Sequence, residues 1–294
     1  LAFFGISKFV LLCCILALSG CSSLLYFPTR IEHVDRKKMP VQPIDINFPS
    51  EDGTNLHAWQ FHAVKGESSK CVILDFHGNG QNLSTHFFSL YWVLEHGLDY
   101  MIFDYHGYGS SEGKPSPKAT VEDGHAALRK IHQLYPDKKI VVLAQSLGGA
   151  VGVRSVVDIK NEVPVILVFA DSTFDSYRTA ARTVLSHHWL TWLFQPIGWL
   201  VMSDTYAPGN DVAKLSPIPL VVIHGDQDTE VDISNGHDLF DRAASPKEFW
   251  EVPGGHHIDA LYRPEIQQRF LDKIDSVCNE SHLSPSKAAL PTRH

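Results

Sequence analysis

Little in this chain of 294 residues points to an exceptional class. Five cysteines, without framework spacing, are too few for a disulfide scaffold, and there is no internal repeat or low-complexity tract. No basic stripe runs through it, and 33 acidic against 25 basic residues leave a formal charge of −8, which argues against a nucleic-acid partner. The apolar run Phe9 to Leu18 is too short to span a bilayer comfortably. What remains is a length and hydrophobic content suited to one large, well-buried α/β domain.

Lys8 followed by the run Phe9 to Leu18 has the form of a secretory signal, so residues 1–20 are expected to be a signal peptide outside the fold. The run ends in Leu18-Ser19-Gly20-Cys21, which resembles the lipobox of bacterial lipoproteins. The resemblance implies cleavage before Cys21, acylation of that cysteine as a lipid anchor, and a place in the cell envelope, facing the periplasm from the outer membrane. Cys13 and Cys14 leave with the signal, so Cys71 and Cys278 remain; these are expected to stay free, with a disulfide as the alternative.

Downstream, apolar runs alternate with helical patterns, the rhythm of a mostly parallel sheet covered on both faces. Ile44–Phe48 and Leu56–Phe61 read as an antiparallel edge. Strands are expected at Cys71–Phe76, Tyr100–Asp104, Lys139–Ala144, Pro164–Ala170, Pro219–His224 and Lys247–Val252, with helices near Leu83–Glu95, Lys118–Leu134, Leu147–Asp158 and Pro264–Val277. The domain is expected to span 21–278, with a tail at 279–294. Residues 175–209, with Trp189, Trp192, Phe194 and Trp199, suit either a cap over a site or a helical pair against the sheet.

The chemistry is carried by Ala144-Gln145-Ser146-Leu147-Gly148-Gly149 at the end of a strand. Strand, small-x-Ser-x-Gly-Gly and helix make a nucleophile elbow, in which a strained turn exposes the serine hydroxyl. A serine needs a base, and the base needs an acid to hold it. Two later strand ends supply them, at His224-Gly225-Asp226-Gln227-Asp228 and at Gly254-Gly255-His256-His257.

These motifs, with His77-Gly78-Asn79-Gly80, Asp104-Tyr105-His106-Gly107-Tyr108-Gly109 and Leu25-Tyr26-Phe27-Pro28, resemble the α/β-hydrolase superfamily over roughly Leu25 to Val277. The chain is most similar to the lysophospholipase-like and serine-aminopeptidase-like branch that includes protein depalmitoylating enzymes. The resemblance implies an eight-stranded sheet with a short helical cap. It implies Ser146 as nucleophile, Asp228 as acid and His256 as base, with His257 as its competitor. Asp226 is assigned to its own turn, and Asp171 is a distant alternative acid. The amides of Leu147 and Asn79 are the implied oxyanion hole, and His77 a brace for that loop. His106 stands where the branch has arginine. His187-His188 and His256-His257 lack zinc-pair spacing, so no metal site is assigned and no organic cofactor is needed.

The leading expectation is a lipid-anchored serine hydrolase acting on carboxylic esters or thioesters, with a small-molecule or lipid acyl substrate and no obligate protein partner. A peptidase of the same site, and a catalytically silent binding module at the membrane, are the alternatives.

Overall fold

The computed structural model describes residues 26–65, 68–186 and 202–279. The expected signal peptide, Cys21 and residues 280–294 of the expected tail lie outside the described residues, as does most of the Trp-rich part of the cap segment.

Eight strands form one sheet: β1 (Ile44–Pro49), β2 (Asn55–Phe61), β3 (Cys71–Phe76), β4 (Asp99–Phe103), β5 (Lys139–Gln145), β6 (Val165–Asp171), β7 (Leu220–Gly225) and β8 (Lys247–Val252). Their order is β8-β7-β6-β5-β3-β4-β2-β1. β2 runs antiparallel to both neighbours, and the pairings from β4 to β8 are parallel. The expected antiparallel edge and eight-stranded sheet are what the chain forms.

Both faces are covered because both residue phases of each central strand are apolar. Val72, Leu74, Val142, Ala144, Val168 and Val222 face one core, with α1 (Pro117–Leu134), α2 (Leu147–Ile159) and α4 (Ile233–Arg242) packed on it. Cys71, Ile73, Val141, Leu143, Phe169 and Ile223 face the other, under α5 (Pro264–Asn279), which contributes Ile266, Phe270 and Ile274. Truncating a fully buried aromatic such as Phe270 to alanine costs about 3–5 kcal/mol.

Two local features differ from expectation. The stretch expected as one helix from Leu83 is a single α-turn, Leu83–His86, followed by 3-10 turns at Phe87–Ser89 and Tyr91–His96. Its buried residues Phe87, Leu90 and Val93 recur every three positions, a spacing that three residues per turn places on one face. Cys71 and Cys278 are joined in a disulfide rather than free. Both are buried in the second core with Cα atoms 6.0 Å apart, inside the range a disulfide needs.

The strand order reverses beside β3: the chain goes from β3 outward to β4, then returns to β5 on the other side. A crevice opens at the carboxyl ends of strands at such a point. The loop after β3 and the serine after β5 meet there.

Candidate active site

Ser146 follows β5 directly, with φ 54° and ψ −120°, a left-handed conformation for a residue with a Cβ. Its backbone is held on two sides: its N–H donates to the Asp171 carbonyl at 2.9 Å, and the Thr173 hydroxyl donates to its carbonyl at 2.7 Å. α2 starts at once, so close to β3 that a Cβ on Gly148 would stand 2.0 Å from the Phe76 carbonyl oxygen. Any side chain there would drive helix and strand apart. Ala144 is accommodated because Gly152 lies opposite: a Cβ at 152 would approach that of Ala144 to 2.9 Å.

Asp228, beyond the end of β7, is placed by its own turn. Its Oδ1 accepts from the main-chain N–H groups of Glu230 and Val231, each at 2.9 Å. Its Oδ2 accepts from His257 Nδ1 at 2.8 Å and lies 3.4 Å from His224 Nε2. Burial pushes the carboxyl's pKa up, but these donors outweigh it and hold it well below the usual carboxylate range. Buried His224 is pushed down by desolvation and up by Asp228 and the Val231 carbonyl, and the net shift is upward.

His257 completes the line, with Nε2 2.9 Å from Ser146 Oγ. A carboxylate only accepts, so Nδ1 carries the hydrogen toward Asp228 and Nε2 presents its lone pair to the serine hydroxyl.

His256 does not occupy that place, contrary to the expectation from the Gly-His pattern. It is exposed, and its Nδ1 faces the Gln227 carbonyl at 3.2 Å. The physical reason is the phase of the loop after β8. Gly255 is pressed against Gly225, where a Cβ on Gly225 would sit 2.3 Å from the Gly255 carbonyl oxygen, and the Gln227 N–H donates to that same carbonyl. That contact turns the next side chain to solvent and the following one inward. Ser172 Oγ then accepts from the Ile258 N–H at 3.1 Å and pins the far side of His257.

The remaining assignments divide. Asp171 faces Gln145 Nε2 at 2.9 Å rather than the histidine, and Asp226 accepts from the Gly254 N–H at 2.7 Å, bracing the two loops. His77 lies between the Gly78 carbonyl and Asp104, and the Tyr105 hydroxyl donates to its carbonyl at 3.0 Å. Asn79 Oδ1 accepts from the Phe27 N–H at 3.0 Å and the Tyr108 hydroxyl at 2.9 Å, fixing the loop beside Ser146. His106 pairs with Asp123 at 2.6 Å and Asp52 at 3.2 Å, tying the loop after β4 to α1 and to the β1–β2 turn. Both carboxylates raise its pKa against the opposing effect of burial.

Residues 67–198 match the family model described as "Serine aminopeptidase, S33". The uncharacterized protein YfhR of Salmonella typhi is 30% identical over 76% of this chain and 77% of its own length. The YfhR protein of Escherichia coli K12 is 29% identical over 80% and 81%. The chain belongs to the α/β-hydrolase superfamily, in this serine aminopeptidase family. The α/β-hydrolase sheet also superposes on an esterase from Pyrococcus furiosus, Pf2001, with a TM-score of 0.71 at 19% identity, covering 86% of this chain and 98% of that one.

Of the segment 175–209, expected as a cap or a helical pair, only the flanks lie among the described residues. α3 (Tyr177–Ser186) starts the segment, and Asp204 near its end accepts from the Ser176 hydroxyl at 3.0 Å, stitching the two flanks together. Three residues of the site escaped assignment from sequence: His257 as the inward histidine, Gln145 beside the nucleophile, and His86. The signal for Gln145 was its position, one residue before a serine whose side chain must face the crevice.

Proposed function

We propose that this chain is a serine hydrolase that cleaves carboxylic esters or thioesters through an acyl-enzyme on Ser146. The observation that carries this is the unbroken line Ser146 Oγ–His257 Nε2 at 2.9 Å and His257 Nδ1–Asp228 Oδ2 at 2.8 Å. Ser146 Oγ attacks the substrate carbonyl carbon as its proton passes to His257 Nε2. Asp228 holds the imidazole in the tautomer that can accept that proton and offsets the imidazolium charge that follows. The oxyanion is met by the main-chain N–H of Leu147, at the first residue of α2, and by that of Asn79, whose side chain is already committed to Phe27 and Tyr108. His257 then gives its proton to the leaving group, and water repeats the sequence to release the acid.

In this reading Cys21 is a lipid anchor, five positions before Tyr26, where the described structure begins. The expected address is the periplasmic side of the outer membrane. No helix among the described residues is long and apolar enough to cross a membrane, so attachment would rest on the acylated cysteine. The substrate is then a small-molecule or lipid acyl ester met at that surface. The family description points to amide cleavage as a second reading, since the same line of residues can open a peptide bond.

The test is fluorophosphonate labelling of the wild type, Ser146→Ala and His257→Gln, followed by turnover of p-nitrophenyl butyrate and of aminoacyl p-nitroanilides. Labelling lost in Ser146→Ala and ester turnover well above anilide turnover are expected. Equal labelling of wild type and Ser146→Ala would overturn the proposal, and anilide turnover above ester turnover would replace it with a peptidase.

A further inference from the structure

Two residues beside the catalytic line hold backbone conformations that side chains disfavour. Ile258, directly after His257, has φ 49°, and Ser172, directly after β6, has φ 51°. A β-branched residue in the left-handed region is a genuine outlier, and it stays there only when its surroundings hold it. The two outliers meet: the Ile258 N–H donates to Ser172 Oγ at 3.1 Å. Ser172 is itself buried, and its own N–H donates to the Ile223 carbonyl of β7 at 2.9 Å, so it stands fixed to the sheet.

The same short turn grips the nucleophile. The Asp171 carbonyl accepts from the Ser146 N–H at 2.9 Å, and the Thr173 hydroxyl donates to the Ser146 carbonyl at 2.7 Å. Thr173 also accounts for the second glycine of the elbow, since a Cβ on Gly149 would stand 2.3 Å from Thr173 Cβ. Between the two grips runs a line of side chains. Gln145 Nε2 donates to Asp171 Oδ2 at 2.9 Å, the Ser172 hydroxyl donates to Asp171 Oδ1 at 3.2 Å, and Ser172 Oγ accepts from Ile258. The residue before the nucleophile is thereby joined to the residue after the base through one buried turn. Both nitrogens of His257 are committed to Asp228 and Ser146, so the ring adds no bond of its own to this turn.

A left-handed backbone disfavours a side-chain-bearing residue by roughly 5–30-fold in population. One hydrogen bond to a buried acceptor is of the same order, so the Ser172 hydroxyl is enough to tip the balance. Without it Ile258 leaves the left-handed region, and His257, the preceding residue, turns with it. Resting on the hydrolase reading above, we infer that the turn Asp171-Ser172-Thr173 is a clamp that sets the base against the nucleophile, and that Ser172 is a positioning residue that keeps His257 in line by holding Ile258 left-handed. Ser172 touches neither the substrate nor the proton in flight. Its loss therefore lowers the fraction of enzyme in the reactive arrangement and leaves substrate binding alone.

The experiment measures kcat and KM on p-nitrophenyl butyrate, per active site titrated with a fluorophosphonate, in a double-mutant cycle of Ser172→Ala and Ile258→Gly. Ser172→Ala is expected to lower kcat about tenfold with KM within about twofold. Glycine takes up a left-handed backbone without penalty, so in the Ile258→Gly background the same change is expected to cost no more than about threefold. A merely structural role for Ser172 would cost the same in both backgrounds, and titration cancels any loss of folded enzyme. Should Ser172→Ala not fold, Ser172→Gly takes its place, because glycine suits φ 51° and lacks the hydroxyl. An unchanged kcat, equal losses in the two backgrounds, or a change confined to KM each overturn the inference while the hydrolase reading stands. No fluorophosphonate labelling of the wild type removes both.

Discussion

Asp228, just past the end of β7, and Asp75, in β3, are both buried carboxyls, and they are opposites. Asp228 sits among donors: two main-chain N–H groups and two histidines face its two oxygens. Asp75, near the end of β3, is fully buried, and no protein donor among the described residues reaches either of its oxygens. Burial raises both. At Asp228 the donors reverse that rise, whereas at Asp75 the nearby Asp171 adds to it, so its pKa stands well above the usual range. Burial alone therefore does not set the direction in which a buried carboxyl's pKa moves here: at Asp228 the donors aimed at it reverse the rise. The one held low faces the histidine, and the one pushed up lies buried near the end of β3 with no donor among the described residues.

The sharpest way to break this comparison is through the histidines, since the structure gives only one of two neighbours access to the charged acid. His257→Ala is expected to lower kcat/KM on p-nitrophenyl butyrate by about 10⁴–10⁶, and His256→Ala by no more than about threefold. Equal losses would mean that the loop phase is not what it is here. Next comes the acid itself. Asp228→Asn is expected to cost about 10⁴ in kcat, because the imidazole then adopts the wrong tautomer, while Asp75→Asn leaves kcat within about threefold. A mild Asp228→Asn would put the base under another group.

A pH profile sharpens the same contrast with a smaller effect. Asp228 is held low, so it remains ionised across the acid side of the profile. On that limb kcat/KM is expected to fall about tenfold per pH unit, the slope for one proton. A hundredfold per unit would show that the carboxyl titrates as well.

The smallest effect is on stability. For Asp75, raised in the folded state, the stabilising contribution is full below the unfolded value of about 3.9 and is lost as pH climbs toward the folded value. For Asp228, depressed in the folded state, the contribution is present above about 3.9 and is lost as pH falls through the folded value. Asp75→Val is therefore expected to raise stability at pH 7 by about 1–3 kcal/mol in urea unfolding, with a gain that shrinks toward pH 4. A gain independent of pH would assign the effect to packing instead.

Much of this was legible before any coordinate. The sheet could be read because its central strands are apolar in both phases, and the elbow because Gly148 and Gly149 tolerate no side chain beside a serine in a left-handed turn. The acidic turn after β7 was legible, but it offers both Asp226 and Asp228, and the family resemblance chose between them. The histidine was not. Two identical side chains stand side by side, and the choice between them is made by Gly255 against Gly225, residues thirty positions apart in sequence. The cysteine pair was hidden for the same kind of reason: Cys71 and Cys278 are 207 positions apart and become neighbours only when α5 lies across the start of β3. The 3-10 turns after His86 carry an apolar spacing that a helical reading accepts but does not distinguish.

That covalent link has a bearing on how the molecule is made. One half-cystine belongs to the first of the parallel strands to be synthesised and the other to the closing helix, so the bond waits for almost the entire polypeptide to emerge. Until then the sheet must assemble without its staple. Once sealed, both sulfurs lie buried in the second core, and the join ties the closing helix to the strand at the centre of the sheet.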